Sequence, residues 1–151
     1  MRREHTAEDI TWATRRLDIA MTSLMVALAR AVGVSVPEML ALEHLDADGS
    51  MCPSELARRL QMTSGAMTAL VDRLAAGGHV VRERRPADRR RVLVKRTQKA
   101  DEDLTAEIAP MAVQILELAE GLDEAERQAV GRFFDGLIAI IENTVAEACT
   151  Q

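Results

Sequence analysis

Arg89, Arg90 and Arg91 follow Pro86-Ala87-Asp88 in a short segment between two β-branched runs, Val80-Val81 and Val92-Leu-Val94. Guanidinium groups clustered in this way neutralise phosphates and can reach the narrow, electronegative minor groove of a duplex. Upstream, Ser64, Gly65, Thr68 and Ala69 fall on the outward face of a helical pattern that Thr63 caps. Their hydroxyl and methyl groups suit hydrogen-bond and thymine-methyl contacts to base edges in the major groove. Arg58, Arg59 and Arg73 lie on exposed helix faces and are read as phosphate-positioning residues. No other chemistry has its residues. His5, His44 and His79 share no metal-ligand spacing, and no Ser/His/Asp or Cys/His arrangement is visible. Cys52 and Cys149 form neither a disulfide framework nor a metal pair; Cys52 reads as a small buried hydrophobe and Cys149 as part of a fraying terminus. The expectation is a chain that is not an enzyme, with no catalytic residue, metal or cofactor.

Charge distribution supports a polyanionic partner. The 151 residues carry a formal net charge of -5, which taken as an average speaks against nucleic acid. The average hides a segregation. From Pro53 to Lys99, twelve basic residues stand against four acidic ones, a net of +8; the remainder holds seven basic and twenty acidic residues, or −13. A basic centre flanked by acidic arms is the pattern of a reading head on a scaffold that repels stray nucleic acid.

The elements that must position these residues follow from composition and periodicity. Hydrophobic residues make up 48% of the chain and aromatic residues only 2% (Trp12, Phe133 and Phe134), so the core must be aliphatic and helical, within one domain. Ile10, Ala13, Leu17, Met21, Leu24, Leu28 and Ala31 draw a stripe down a first helix that Gly33 stops. Ser35-Val-Pro-Glu38 caps a second, running to a turn at Asp46-Ala-Asp-Gly49. Pro53 to Leu60 forms a short helix, Gln61-Met62-Thr63 a tight connection, and Ser64 to about Ala76 a helix with Ala66, Met67, Leu70, Val71 and Leu74 inward. Small Ala57 and Ala66 are expected where these two helices cross, and Gly77-Gly78 end the second. Val80 to Arg85 and Val92 to Arg96 then read as strands around a basic tip, Pro86 to Arg91. Thr97 caps a helix striped by Leu104, Ile108, Met111, Ile115, Leu118 and Leu122, with a bend expected at Pro110 and an end near Gly121. Asp123-Glu-Ala-Glu126 opens a last helix whose apolar face, widened by Phe134 and Ile140, exceeds what one neighbour needs and points to a second chain. No stretch has the apolar length of a membrane span and the first residues are charged, so the expected location is cytoplasmic.

Leu56-Ala57, Leu70-Val-Asp-Arg-Leu74, Gly78, Val80-Val81, Asp88-Arg89-Arg90, Val92-Leu-Val-Lys95 and Thr97 together resemble the MarR family of bacterial winged helix-turn-helix transcription regulators. The resemblance covers nearly the whole chain, and its most specific element is the Asp-x-Arg of Asp88 and Arg90. It implies a mainly α fold with a small β-hairpin wing (α+β), in which 1–34 and 98–151 form a helical dimerisation region and 35–97 a winged helix-turn-helix. It further implies a homodimer on a palindromic DNA operator. Arg90 would enter the minor groove and Asp88 would hold the wing's geometry. The family usually has Leu-Thr-x-x-Gly where this chain reads Arg96-Thr97-Gln98-Lys99-Ala100. An effector pocket, placed by the same resemblance where dimerisation helices meet the binding region, points to Trp12, Arg15, Arg16, Met39, Leu42 and His44; arginine beside an apolar wall suits an aromatic carboxylate or phenolate.

The function so read is a dimeric, DNA-binding repressor of neighbouring genes, released by a small aromatic or phenolic ligand. The alternative is a winged-helix dimer acting as a protein-interaction module without sequence-specific DNA binding. No glycine-rich cofactor loop accompanies it.

Overall fold

The computed structural model describes residues 5–85 and 88–148, and the side chains of 85–91 lie outside the description. Six helices and one hairpin follow in the order α1 (Ala7–Val32), α2 (Val36–Asp48), α3 (Pro53–Arg59), α4 (Ser64–Ala76), β1 (Val80–Arg85), β2 (Asp88–Arg96), α5 (Gln98–Glu120) and α6 (Glu124–Ala148). The mainly α architecture with a two-stranded wing is the one expected from the sequence.

Local chemistry sets the helix ends. Thr6 and Asp9 satisfy each other's backbone N–H at the start of α1, and Gly33 ends it at φ 78, where a side chain would strain the backbone. The Ser35 N–H donates to the Glu38 carboxylate at 2.8 Å, closing the first turn of α2. This helix runs through Asp48 rather than turning at Asp46, because the backbone leaves helical geometry only at Gly49, φ 75. Pro53 starts α3, which ends one residue earlier than expected, at Arg59. Gln61 adopts the left-handed φ of 52, and the Met62 N–H reaches the Ala57 carbonyl at 2.8 Å, so four residues reverse the chain. The Thr63 hydroxyl oxygen then accepts from the Ala66 N–H and opens α4.

The core lies between α2, α3, α4 and the wing. Met39 and Leu42, Leu56, Met67, Leu70, Val71, Leu74 and Val94 are all essentially sealed from solvent. Fully burying such a side chain stabilises by about 1.5–3 kcal/mol. Two expected burials are corrected. Ala66 is exposed, because Met67, Leu70, Val71 and Leu74 already complete the inward stripe at helical spacing and Ala66 falls beside it. Cys52 is half-buried at the N-cap of α3 rather than buried, since a capping residue stands outside the helix it begins.

The wing is longer than expected: β2 begins at Asp88, not Val92. Pairing runs in antiparallel register from Val80↔Arg96 to Arg84↔Val92 and then steps to Arg85↔Asp88. Arg89, Arg90 and Arg91 therefore occupy an irregularity in the strand rather than a turn, and a bulge of this kind re-aims side chains. Met51 adds a bridge to Val94 on the wing's other edge, with bonds of 3.1 and 2.8 Å.

The wing's root is tied to α5. Thr97 donates its hydroxyl to the Gly78 carbonyl at 2.7 Å and accepts from the Ala100 N–H, capping α5 as expected. Arg96, in the place where the resemblance suggests leucine, is buried along most of its side chain and pairs with Asp46 at 2.8 Å and Asp101 at 2.7 Å. Two carboxylates offset the cost of burying its charge. α5 continues as one helix through Pro110, and Asp123 with Glu126 caps α6 reciprocally. By packing, the chain forms two compact units, Met1–Glu107 and Ile108–Gln151. Within the second, α6 has no buried residue; Ile138, Ile140, Ile141 and Val145 are each more than half exposed.

His79 sits buried in the turn joining α4 to β1, its Nδ1 without a hydrogen-bond partner. Burial, seconded by the charge of Lys99, lowers its pKa from the ordinary imidazole value, against a weaker opposite pull from Asp103 and Glu38. The folded chain thus disfavours the protonated form of His79. Below about pH 6.5 the unfolded chain takes up a proton that the folded one refuses, so this residue's contribution to stability is complete above that pH and is lost as pH falls. The thermal midpoint should drop between about pH 7.5 and about pH 5.5, and His79→Gln should flatten the drop; equal slopes in both proteins would refute this assignment.

Candidate nucleic-acid interface

With Met67, Leu70, Val71 and Leu74 committed to the core, the opposite face of α4 is left to solvent. Thr63, Ser64, Gly65, Thr68, Ala69 and Arg73 are all exposed. The structure therefore brings the expected base-facing residues together on one helix surface. Gly65 has no heavy atom within 4 Å of where a Cβ would stand, so the surface there is open. The Thr68 hydroxyl donates to the Ser64 carbonyl at 2.9 Å, which restrains its rotamer on this exposed face.

Arg58, Arg59, Arg73 and Arg82 are each held by an acid of the same chain. Arg58 pairs with Glu55 at 2.6 Å, and Arg59 with Glu55 at 3.1 Å and with Asp48. These bonds, with Arg58 the stronger influence, lower the Glu55 carboxyl below its ordinary range. Arg73 reaches across to α2, where its Nε donates to Glu38 Oε1 at 2.5 Å. Arg82 of β1 donates to Asp72 of α4 at 2.6 Å and so links the wing to the helix. Glu38 is buried, and burial alone would raise its carboxyl; the bonds from the Ser35 backbone and from Arg73 outweigh burial and leave it lowered and charged.

Arg82 and Glu38 are not among the site residues that the sequence points to. Arg82 was legible only as one charge in the basic segment, and Glu38 only as a capping glutamate. A partner 35 residues away has no signature in local spacing.

Asp88, Arg89, Arg90 and Arg91 lie on β2, directly before the residues that pair with Val80 to Arg84, and their side chains lie outside the description. The six residues assigned to an effector pocket do not share one environment. Trp12, Arg15 and Arg16 are exposed on α1, Met39 and Leu42 are fully buried beneath α2, and His44 is half-buried. Among the described residues no group of His, Cys, Asp and Glu is placed to hold a metal ion, and no single helix is long and apolar enough to cross a membrane. Cys149 lies outside the described residues.

Comparison with known proteins agrees with this arrangement. The MarR family model matches residues 32–91, which spans α2 to the basic segment of the wing. An HTH-type transcriptional regulator of Mycobacterium leprae is 30% identical over 111 residues, 74% of this chain and 78% of that protein. A MarR family protein from Bacillus stearothermophilus superposes with a TM-score of 0.71 at 18% identity, covering 94% of this chain and 99% of that one. Streptococcus pneumoniae FabT in complex with DNA superposes at 0.67 and 21% identity, covering 89% and 95%. An exposed helix face, an arginine-bearing wing behind it, and relatives of the same length and order converge on one conclusion: the chain belongs to the MarR family of winged helix-turn-helix transcriptional regulators, and not to an enzyme family.

Proposed function

We propose that the chain is a cytoplasmic, homodimeric DNA-binding repressor of neighbouring genes that holds a palindromic operator and is released by a small aromatic or phenolic ligand. The observation that carries the reading is the exposed Ser64-to-Arg73 face of α4 adjoining the wing of Arg89, Arg90 and Arg91, inside the one segment with a +8 charge. In this reading Ser64, Thr68 and Ala69 meet base edges in the major groove, Arg73, Arg58 and Arg59 sit on phosphates, and Arg90 enters the adjacent minor groove. The fold shared with the DNA-bound FabT supports a duplex as the partner.

A twofold operator calls for a second copy of the chain, with recognition helices about one helical turn apart. Large apolar side chains available for that contact are exposed within Ile108–Gln151: Leu116 and Leu118 on α5, Ile140 and Ile141 on α6. Apolar surface of this extent marks an association site. Trp12 with Arg15 and Arg16 on α1 offers an aromatic wall and two guanidinium groups to an anionic ring, while Met39 and Leu42 are sealed in the core and would not touch it.

A mobility-shift assay with the intergenic DNA upstream of the chain's own gene should show saturable, salt-sensitive binding, and its absence at every salt concentration would overturn the reading. Arg90→Ala should weaken that binding by about ten-fold or more; unchanged affinity would remove Arg90 from the interface. Sedimentation equilibrium should give a dimer of the 16.6 kDa chain, with Ile140→Glu shifted toward monomer. A wild-type monomer at working concentration would refute the assembly.

A further inference from the structure

Glu38 divides its carboxylate between two elements. Oε2 accepts from the Ser35 N–H at 2.8 Å and closes the first turn of α2, while Oε1 accepts from Arg73 Nε at 2.5 Å on α4. The residue is only 6% exposed, so the carboxylate is fixed by its surroundings, yet the Arg73 side chain it grips is 60% exposed. The contact is made at Nε, the guanidinium edge nearest the chain. A planar guanidinium held by that edge has its orientation set by the acceptor, and a fork with a set orientation recognises phosphate oxygens better than a mobile one. Arg73 lies one helical turn beyond Ala69 on the exposed face of α4, while its neighbour Asp72 is committed to Arg82 of the wing.

We propose that Glu38 is a positioning residue for DNA binding: from α2, outside the reading head, it orients the Arg73 guanidinium toward the duplex. The inference rests on the DNA-binding reading above and adds to it a residue that touches no nucleic acid. Two alternatives lead to different outcomes. If Glu38 only masks the charge of Arg73, removing its negative charge will tighten binding. If it only caps α2, its loss will act whether or not Arg73 is present.

Glu38→Gln separates these, because glutamine at this position of a capping box still accepts from the Ser35 N–H while losing the charge that holds Arg73. The measurement is the dissociation constant for a duplex selected by the wild-type chain from a random-sequence pool, with thermal midpoints recorded alongside. Glu38→Gln should weaken binding about five-fold, Arg73→Ala by about ten-fold, and the double variant no more than Arg73→Ala alone. Equal or tighter binding by Glu38→Gln overturns the proposal, as does a Glu38→Gln loss that persists undiminished in the Arg73→Ala background. A wild-type chain that selects no duplex overturns the DNA-binding reading itself and this inference with it, an outcome visible before any variant is made.

Discussion

The buried stripe of α4 is the constraint from which the interface follows. Met67, Leu70, Val71 and Leu74 recur at helical spacing and lie within 1% of complete burial, packed with Met39 and Leu42 of α2 and Leu56 of α3 in one core. A helix so anchored has no rotational freedom about its axis, since turning it would lift these side chains into water at about 1.5–3 kcal/mol each. Ser64, Thr68, Ala69 and Arg73 are outward for that reason alone. The chemistry of the reading face is thus decided by residues that never meet a ligand.

Electrostatics refine what packing has placed. A +8 segment would repel itself if its arginines were unpaired, and the fold answers by setting carboxylates among them: Glu55 between Arg58 and Arg59, Asp72 against Arg82, Glu38 against Arg73. The exposed pairs of Glu55 and Asp72 contribute little to stability, typically below about 1 kcal/mol. Their consequence is orientation. Arg59 bridges α3 to Asp48 at the end of α2, Arg82 bridges β1 to α4, and Arg73 bridges α4 to α2, so helix and wing are referenced to one another through side chains that also carry the positive field.

Much of this was legible in the sequence because its causes are local. Capping at Thr63, Thr97 and Asp123, the stop at Gly33 and the α4 stripe depend on residues within a turn of one another, and each appears where periodicity and caps placed it. The misjudged features depend on distant partners. Ala66, apolar but beside the stripe of Met67, Leu70, Val71 and Leu74, is left exposed, and its apolar character alone does not show this. The β2 strand reaches back to Asp88 because Arg85 pairs there, and charged residues give no alternation from which to read a strand. The ion pairs Glu38–Arg73 and Arg96–Asp46 span 35 and 50 residues respectively, and no local window of sequence contains both partners.

Arg96 shows how such a pair lets the chain depart, without losing the fold, from the leucine that the family resemblance implies at this place. Leucine at the wing's root would contribute transfer free energy to the core; arginine brings a charge that burial penalises by several kcal/mol if it is left alone. Here Asp46 comes from the end of α2 and Asp101 from the first turn of α5, one carboxylate for each terminal nitrogen. The side chain thereby joins three elements at the point where the wing leaves the body. A leucine in that place would pack but could not specify direction, whereas a planar group bonded on two sides can. The substitution exchanges apolar burial for geometric definition, and it does so where a small rotation of β2 would be carried along the strand to Arg89, Arg90 and Arg91.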